Sequence, residues 1–271
     1  MKIIYICCLF FVTSIALSSP NVHVYFEQTP NGYVVYADNP EPCPISLAID
    51  FELVNLTSSE GNSSTFIIPG NSEKNNVAEL LIKYKLKSYK FDYNYTAYYG
   101  DPNLEEYDVT FKYHLPYKKG SSFKVMQGYN GSTTHKGINA LDFNMPEGTE
   151  IFAARGGIVV EIVQENDKAC ENEGCEKYNN YILIYHNDGT FANYSHIKKD
   201  GAVVAKGDIV SIGQHIAYSG NVGRSTGPHL HLEIYLPRAE SNKTLRTNFQ
   251  IGDGSEFSIL MEGQSYLRGY D

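Results

Sequence analysis

The stretch Gly227-Pro-His-Leu-His-Leu-Glu-Ile-Tyr235 decides the fold of this 271-residue chain and points to its chemistry. Alternate residues of a β-strand project from the same face, so His229 and His231 are predicted to stand side by side. A Gly-Pro turn introduces them. Burying two imidazoles on one face of an apolar strand costs free energy unless each has a polar partner. A metal ion bound by one imidazole, with the other acting as a base, would account for both.

The composition indicates a globular, mostly β-stranded chain. Hydrophobic residues make up 42% and charged residues 20% of it, and the length suits one large or two small domains. Short runs of Val, Ile, Tyr and Thr alternate with Gly, Asn and Asp, whereas helical periodicity is scarce. We therefore predict an all-β fold.

The N-terminus resembles a secretory signal peptide. Lys2 precedes a largely apolar run from Ile3 to Leu17, which ends in the small-residue exit Ala16-Leu17-Ser18. The run is shorter than the roughly 20 residues that a bilayer core needs, so no stable membrane span is predicted, although a retained anchor is the alternative. We expect residues 1–18 to be a signal peptide and the protein to be exported, to a periplasmic or extracellular location.

The charge balance and the cysteines indicate which binding partners and which redox compartment the sequence favours. Without the leader, 21 basic and 31 acidic side chains remain, which argues against nucleic acid as a partner because phosphate binding needs a basic surface. In an exported protein, Cys170 and Cys175 are predicted to close a small disulfide loop, with two free thiols as the alternative. Cys43 is then left over as a buried thiol.

Two domains are predicted. Residues 19–115 carry about seven short strands separated by turn residues, which is typical of a small β-sandwich. Residues 120–236 form the second domain, and the polar residues 237–271 form a C-terminal tail of unassigned function. His186 and His215 lie beside turn-like segments, so we expect both on the surface.

Two segments upstream of the His-x-His strand supply further chemical groups. One contains His135 and Asp142, and the other, Tyr194-Ser195-His196-Ile197, contains His196. Zinc binds imidazole and carboxylate ligands tetrahedrally, and a catalytic site keeps one position for water. His135, Asp142 and one histidine of the pair would provide such ligands. The other histidine and His196 would then move protons or stabilise an oxyanion.

The order of these segments resembles the lysostaphin/LytM-type zinc metallopeptidases, which cleave peptidoglycan cross-links. The resemblance covers about residues 120–236 and includes the glycine-containing turns of residues 148–160 and 204–229. It implies a C-terminal antiparallel β-sheet metallopeptidase domain of the duplicated hybrid motif type, which follows the N-terminal β-sandwich.

By position, the resemblance implies one zinc ion per chain, bound by His135, Asp142 and His231. It implies that His229 is the general base and that His196 helps to stabilise the tetrahedral oxyanion. The spacing between His135 and Asp142 is longer than in many members. The implied function is that of a secreted zinc metalloendopeptidase, a peptidoglycan hydrolase whose substrate is a peptide cross-link of the bacterial cell wall.

Two alternatives remain. The same fold also serves in catalytically silent interaction modules that lost metal binding and regulate cell-wall hydrolases, although all five site residues are present here. In the second alternative, a structural zinc merely ties strands together.

Overall fold

The computed structural model describes residues 19–172 and 174–271, so the predicted signal peptide lies outside the described residues. Within these ranges the regular structure consists of β-strands and one short 3₁₀ helix, Cys175–Tyr178. The all-β prediction is confirmed. Neither range contains a helix with the length and apolar character that crossing a membrane would require.

Seven strands build the predicted N-terminal β-sandwich. They are β1 (His23–Thr29), β2 (Gly32–Asn39), β3 (Ile45–Val54), β4 (Leu56–Ser58), β5 (Ser63–Ile68), β6 (Ser72–Ile82) and β7 (Lys90–Tyr99). One sheet has the order β1-β2-β6-β4 and the other has the order β5-β3-β7. Along β3, Leu47, Ile49 and Phe51 are buried while Asp50 and Glu52 are exposed, as expected for a strand with one face on a core.

The described residues after the sandwich form seventeen further strands of two to seven residues. They are β8 (Lys112–Tyr113), β9 (Ser122–Gln127), β10 (Ala140–Phe143), β11 (Glu150–Phe152), β12 (Gly157–Val163), β13 (Ala169–Cys170), β14 (Tyr181–Tyr185), β15 (Phe191–Ser195), β16 (Ile197–Ala202), β17 (Ile209–Val210), β18 (His215–Ser219), β19 (Gly223–Arg224), β20 (Leu230–Leu236), β21 (Lys243–Thr244), β22 (Asn248–Ile251), β23 (Glu256–Ile259) and β24 (Ser265–Leu267).

A large antiparallel sheet organises this second half. Its order is β17-β12-β14-β15-β20-β10-β9-β24, and β21 pairs with β20. Smaller sheets are β11-β18-β16, β13-β19 and β23-β22-β8. Strand β24, which closes one edge of the large sheet, comes from the segment 237–271. The segment predicted as a tail therefore contributes strands to this sheet and to the one that contains β8.

Strand β14 is apolar along its length because both faces of the sheet are covered. Ile182 and Ile184 pack into the core of the second half, whereas Tyr181 and Leu183 pack into the core of the sandwich. A strand buried on both faces has no need of polar alternation. The sandwich thus packs against one face of the large sheet.

A buried carboxylate adds a polar link between the two halves. Glu41, which is 2% exposed, accepts a hydrogen bond from the N–H of Asn21 at 2.8 Å. Its other oxygen lies 2.6 Å from Lys206 Nζ in the second half. The two halves therefore share apolar and ionic contacts, while the exact domain boundaries stay a prediction.

The expectation that His186 lies on the surface is wrong. The side chain is fully buried, and its Nδ1–H donates a hydrogen bond to the carbonyl of Gly156 at 2.9 Å. In the turn that follows, Asp188 pairs with Arg155 at 2.8 Å, and the ring of Tyr113 packs edge-on against the imidazole. Burial lowers the pKa of His186 to about 4.

Acid is expected to destabilise the protein through His186. An imidazole in the unfolded chain has a pKa of about 6.5, so between about pH 6.5 and 4 the unfolded state binds more protons than the folded state. The contribution of His186 to the free energy of unfolding is fully present above the unfolded pKa and is lost as the pH falls through this window. The loss amounts to roughly 3 kcal/mol at most.

The variant His186→Asn keeps a donor toward Gly156 but does not titrate. Its free energy of unfolding should therefore fall less than that of the wild type between about pH 7 and about pH 4.5, measured by urea titration of metal-free protein. Identical pH dependence of the two proteins would show that His186 does not control acid stability.

Candidate metal centre

Strand register brings the three predicted metal ligands together. In the pairing of β10 with β20, Asp142 lies directly opposite His231, and opposite residues of antiparallel strands project from the same face. His135 enters from the turn before β10, which the hydrogen bond from the N–H of Ile138 to the carbonyl of His135 closes at 2.9 Å. All three side chains are buried, and their ligand atoms form one cluster.

The donor atoms lie at separations that suit a tetrahedral ion. His135 Nε2 is 3.2 Å from Asp142 Oδ2 and 3.3 Å from His231 Nδ1, and His231 Nδ1 is 2.9 Å from Asp142 Oδ1. Ligands held about 2.0–2.1 Å from a tetrahedral zinc ion stand about 3.3 Å apart. These three residues can therefore hold one metal ion, and three protein ligands are typical of catalytic zinc sites.

Hydrogen bonds prepare the ligands for a cation. His135 Nδ1–H donates to the carbonyl of Gly128 at 3.0 Å, which orients the ring with Nε2 toward the other two ligands. Burial alone would raise the pKa of Asp142, but the short contacts with His135 and His231 hold it well below its usual value. The site thus offers an ionised carboxylate beside the Nε2 atom of His135.

Gln127, at the end of β9, supports the centre from outside. Its Nε2 donates to Asp142 Oδ2 at 3.0 Å, and its Oε1 accepts the N–H groups of Thr133 and Thr134 at 3.1 and 2.9 Å. Gln127 therefore connects one metal ligand to the turn that carries His135. No sequence motif marks Gln127, and only the pairing of β9 with β10 brings it to the site.

The remaining two predicted residues lie beside the cluster. His229 Nε2 is 3.9 Å from Asp142 Oδ1, and its Nδ1–H donates to the carbonyl of Gly227 at 2.8 Å. His196 Nδ1–H donates to the carbonyl of Val222 at 2.7 Å, and the two imidazole centroids are 4.5 Å apart. Because each Nδ1–H is held by a carbonyl, each neutral ring presents its Nε2 lone pair on the opposite side.

Burial keeps both of these imidazoles neutral near neutral pH. It lowers the pKa of His229, and together with repulsion from His229 and His231 it lowers the pKa of His196 to about 3. A neutral His229 can accept a proton at Nε2. His196 can donate from Nε2 to an oxyanion only after it has taken up a proton itself.

All five predicted site residues line one cleft of about 580 Å³. The predicted disulfide between Cys170 and Cys175 is present, and the neighbouring residues Glu171 and Glu176 line the cleft. Cys43 is a buried free thiol elsewhere. The ion pair of Arg224 with Glu176, at 2.9 Å, belongs to the same wall. The functional roles of the five residues stay predictions.

An all-β domain with a buried His₂Asp cluster and two more histidines in one cleft has the features of a metallopeptidase. Residues 133–244 match the model of peptidase family M23, and this part of the chain belongs to that metallopeptidase family. The resemblance inferred from the motifs is thereby confirmed.

Individual relatives match only part of their own length. The chain is 40% identical over 98 residues to the peptidoglycan DD-endopeptidase ShyA of Vibrio cholerae, which covers 36% of this chain and 20% of that protein. It is 36% identical over 121 residues to lysostaphin of Staphylococcus simulans, which covers 43% of this chain and 21% of that protein. The chain thus spans about a fifth of the length of these two relatives.

Among solved structures, the catalytic domain of lysostaphin from Staphylococcus simulans matches with a TM-score of 0.33 and 29% sequence identity. The match covers 42% of this chain and 79% of that domain. A score this low does not support a comparison of folds, so the assignment depends on the sequence match and on the site.

Proposed function

We propose that the protein is an exported, zinc-dependent endopeptidase that hydrolyses peptide cross-links of bacterial peptidoglycan. The observation that carries the proposal is the convergence of a His₂Asp cluster and two further histidines on one cleft. The M23 domain supports peptide hydrolysis, and the similarity to a peptidoglycan DD-endopeptidase supports the substrate class. Export is inferred from the leader-like residues 1–18.

Zinc is the ion that the donor set favours. Two imidazoles and one carboxylate suit zinc, whereas magnesium and calcium prefer oxygen ligands. We propose one ion per chain, held by His135 Nε2, His231 Nδ1 and the carboxylate of Asp142. When bound, a zinc ion lowers the pKa of water to about 7 and polarises the scissile carbonyl.

His229 and His196 would then move protons around the reacting carbonyl. His229 Nε2 accepts a proton from the attacking water because its Nδ1–H is already committed to Gly227. The same group can return that proton to the leaving amine. His196 would first take up a proton from solvent at Nε2 and would then donate a hydrogen bond from Nε2 to the oxyanion. The negative charge that develops nearby raises its proton affinity.

Purified protein with stoichiometric zinc should convert cross-linked muropeptides into monomers. The substrates should come from walls with direct D-alanine cross-links to a diamino acid and from walls with glycine bridges, and mass spectrometry of the products identifies the bond that is cut. Metal-free protein is the control. If neither wall type is cleaved, the proposed activity is wrong, and binding without cleavage would indicate an interaction module instead.

A further inference from the structure

His196 adopts a backbone conformation that few residues other than glycine take. Its φ is +64°, in the left-handed region, where a side chain is tolerated only if surrounding contacts hold it. Strand β15 ends at Ser195, so the backbone of His196 leaves the ladder there. Its carbonyl accepts the N–H of Gly220 at 2.9 Å, and its own N–H needs a partner in the buried interior.

Asn179 supplies that partner and holds the preceding residue as well. Its Oδ1 accepts the N–H of His196 at 3.2 Å, and its Nδ2 donates to Ser195 Oγ at 3.1 Å. Ser195 Oγ in turn donates to Asn193 Oδ1 at 3.0 Å. A backbone N–H can only donate, so these contacts fix which way the amide of Asn179 points.

The backbone of Asn179 is fixed in turn by the disulfide loop. Asn179 is the C-cap of the 3₁₀ helix Cys175–Tyr178, and its N–H donates to the carbonyl of Glu176 at 3.0 Å. The first residue of this helix forms the disulfide with Cys170. Asn179 is 4% exposed, so its side chain has little freedom to choose other partners.

A close backbone approach completes the arrangement. Gly223 has a φ of +84°, and a Cβ atom there would lie 2.8 Å from the Cα of Asn179. Only glycine lets the chain pass this close. The same segment carries Val222, whose carbonyl accepts the Nδ1–H of His196 at 2.7 Å. Both the backbone and the ring of His196 are therefore set by contacts that meet at Asn179.

We propose that Asn179 is a positioning residue for the hydrolysis proposed above. It acts through His196, whose backbone it holds in the left-handed conformation so that Nε2 lies in the cleft beside His229. Without Asn179 Oδ1 the N–H of His196 would be buried without this partner, and the strained conformation would lose its support. This inference rests on the proposed function.

Steady-state kinetics on cross-linked muropeptides test the inference. In Asn179→Ala, kcat should fall about 10- to 100-fold, because small misplacements of a reacting group have effects of this size. Zinc content should stay unchanged, since Asn179 is not a metal ligand. KM should stay unchanged because Asn179 acts through His196. Asn179→Asp keeps the acceptor for the N–H of His196 and should recover part of kcat. Asn75→Ala, which removes an amide that hydrogen-bonds within the sandwich, is the matched control and should retain wild-type kcat.

A double variant separates positioning from a general structural role. If Asn179 acts through His196, then Asn179→Ala combined with His196→Ala should be no slower than His196→Ala alone. Multiplying losses would overturn the proposal, and so would a wild-type kcat in Asn179→Ala. If Asn179→Ala does not fold, Asn179→Ser takes its place in this comparison, because the shorter serine side chain also loses the contact with the N–H of His196.

Amide hydrogen exchange gives a second readout that needs neither zinc nor activity. The N–H of His196 should be protected in the metal-free wild type and should exchange faster in Asn179→Ala, while amides of the sandwich stay unchanged. Unchanged protection of His196 would overturn the inference. A wild-type protein that cleaves no muropeptide would instead overturn the proposed function, and the exchange result would still report on the contact.

Discussion

Replacing Asp142 by alanine is expected to abolish both zinc binding and the cleavage of cross-linked muropeptides. Asp142 is the only anionic member of the cluster, and it contacts both His135 and His231. Removing an outer hydrogen bond of a metal site already weakens metal affinity by about 10- to 100-fold, so losing a ligand should have a larger effect. Activity should fall to the level of the metal-free protein.

Metal analysis after dialysis, together with the muropeptide assay, measures this prediction. Glu147→Gln removes an exposed carboxylate of the same half and should keep one equivalent of zinc and full activity. Full zinc occupancy in Asp142→Ala would show that the metal site lies elsewhere or has other ligands. Restoration of activity by zinc after chelation of the wild type would confirm that the metal is required.

Replacing His229 by alanine is expected to have the opposite pattern, with zinc retained and activity lost. His229 Nε2 lies 3.9 Å from Asp142 Oδ1 and outside the three-ligand cluster, so its removal leaves the ligands in place. The loss of a general base typically lowers the rate about 10²- to 10⁴-fold. The reduction should appear in kcat, measured with the same muropeptides.

His215→Ala provides the matched histidine control. His215 is half-buried, and its Nε2–H donates to the carbonyl of Ala217 at 3.0 Å, away from the residues that line the cleft. This variant should retain both zinc and activity. If His229→Ala keeps wild-type activity, the assignment of His229 as the base is wrong. Zinc bound to a wild type that has no activity would favour the structural-metal alternative.

The site illustrates which inferences a local pattern can support. The two-residue period of a strand predicted that His229 and His231 share one face, and both line the cleft although β20 begins only at Leu230. The order of motifs predicted His135, Asp142 and His196 as their partners. Their convergence depends on the register of β10 against β20, which pairs residues about ninety positions apart. Register depends on the buried face of the whole sheet, so no short segment encodes it.

The residues that hold the site residues in place could not be predicted from the sequence for the same reason. Gln127 and Asn179 belong to no motif, and each acquires its role from contacts with segments that fold against it. His186 lies next to an Asn-Asp-Gly turn, which ordinarily marks the surface. Asn187 in this turn is exposed, but the His186 side chain points into the interior and bonds to the carbonyl of Gly156. Local composition does not report such packing.

The sequence by itself predicted the all-β class and the β-sandwich from strand periodicity, which is a local property, and the disulfide loop from cysteine spacing. The five candidate site residues were predicted from the order of motifs and its resemblance to a known family. The tertiary structure decided how those five side chains meet and where the segment 237–271 goes. It also decided which polar groups hold His196 in its left-handed conformation. These features arise from strand pairing and burial between distant segments, whose free energies depend on the whole fold.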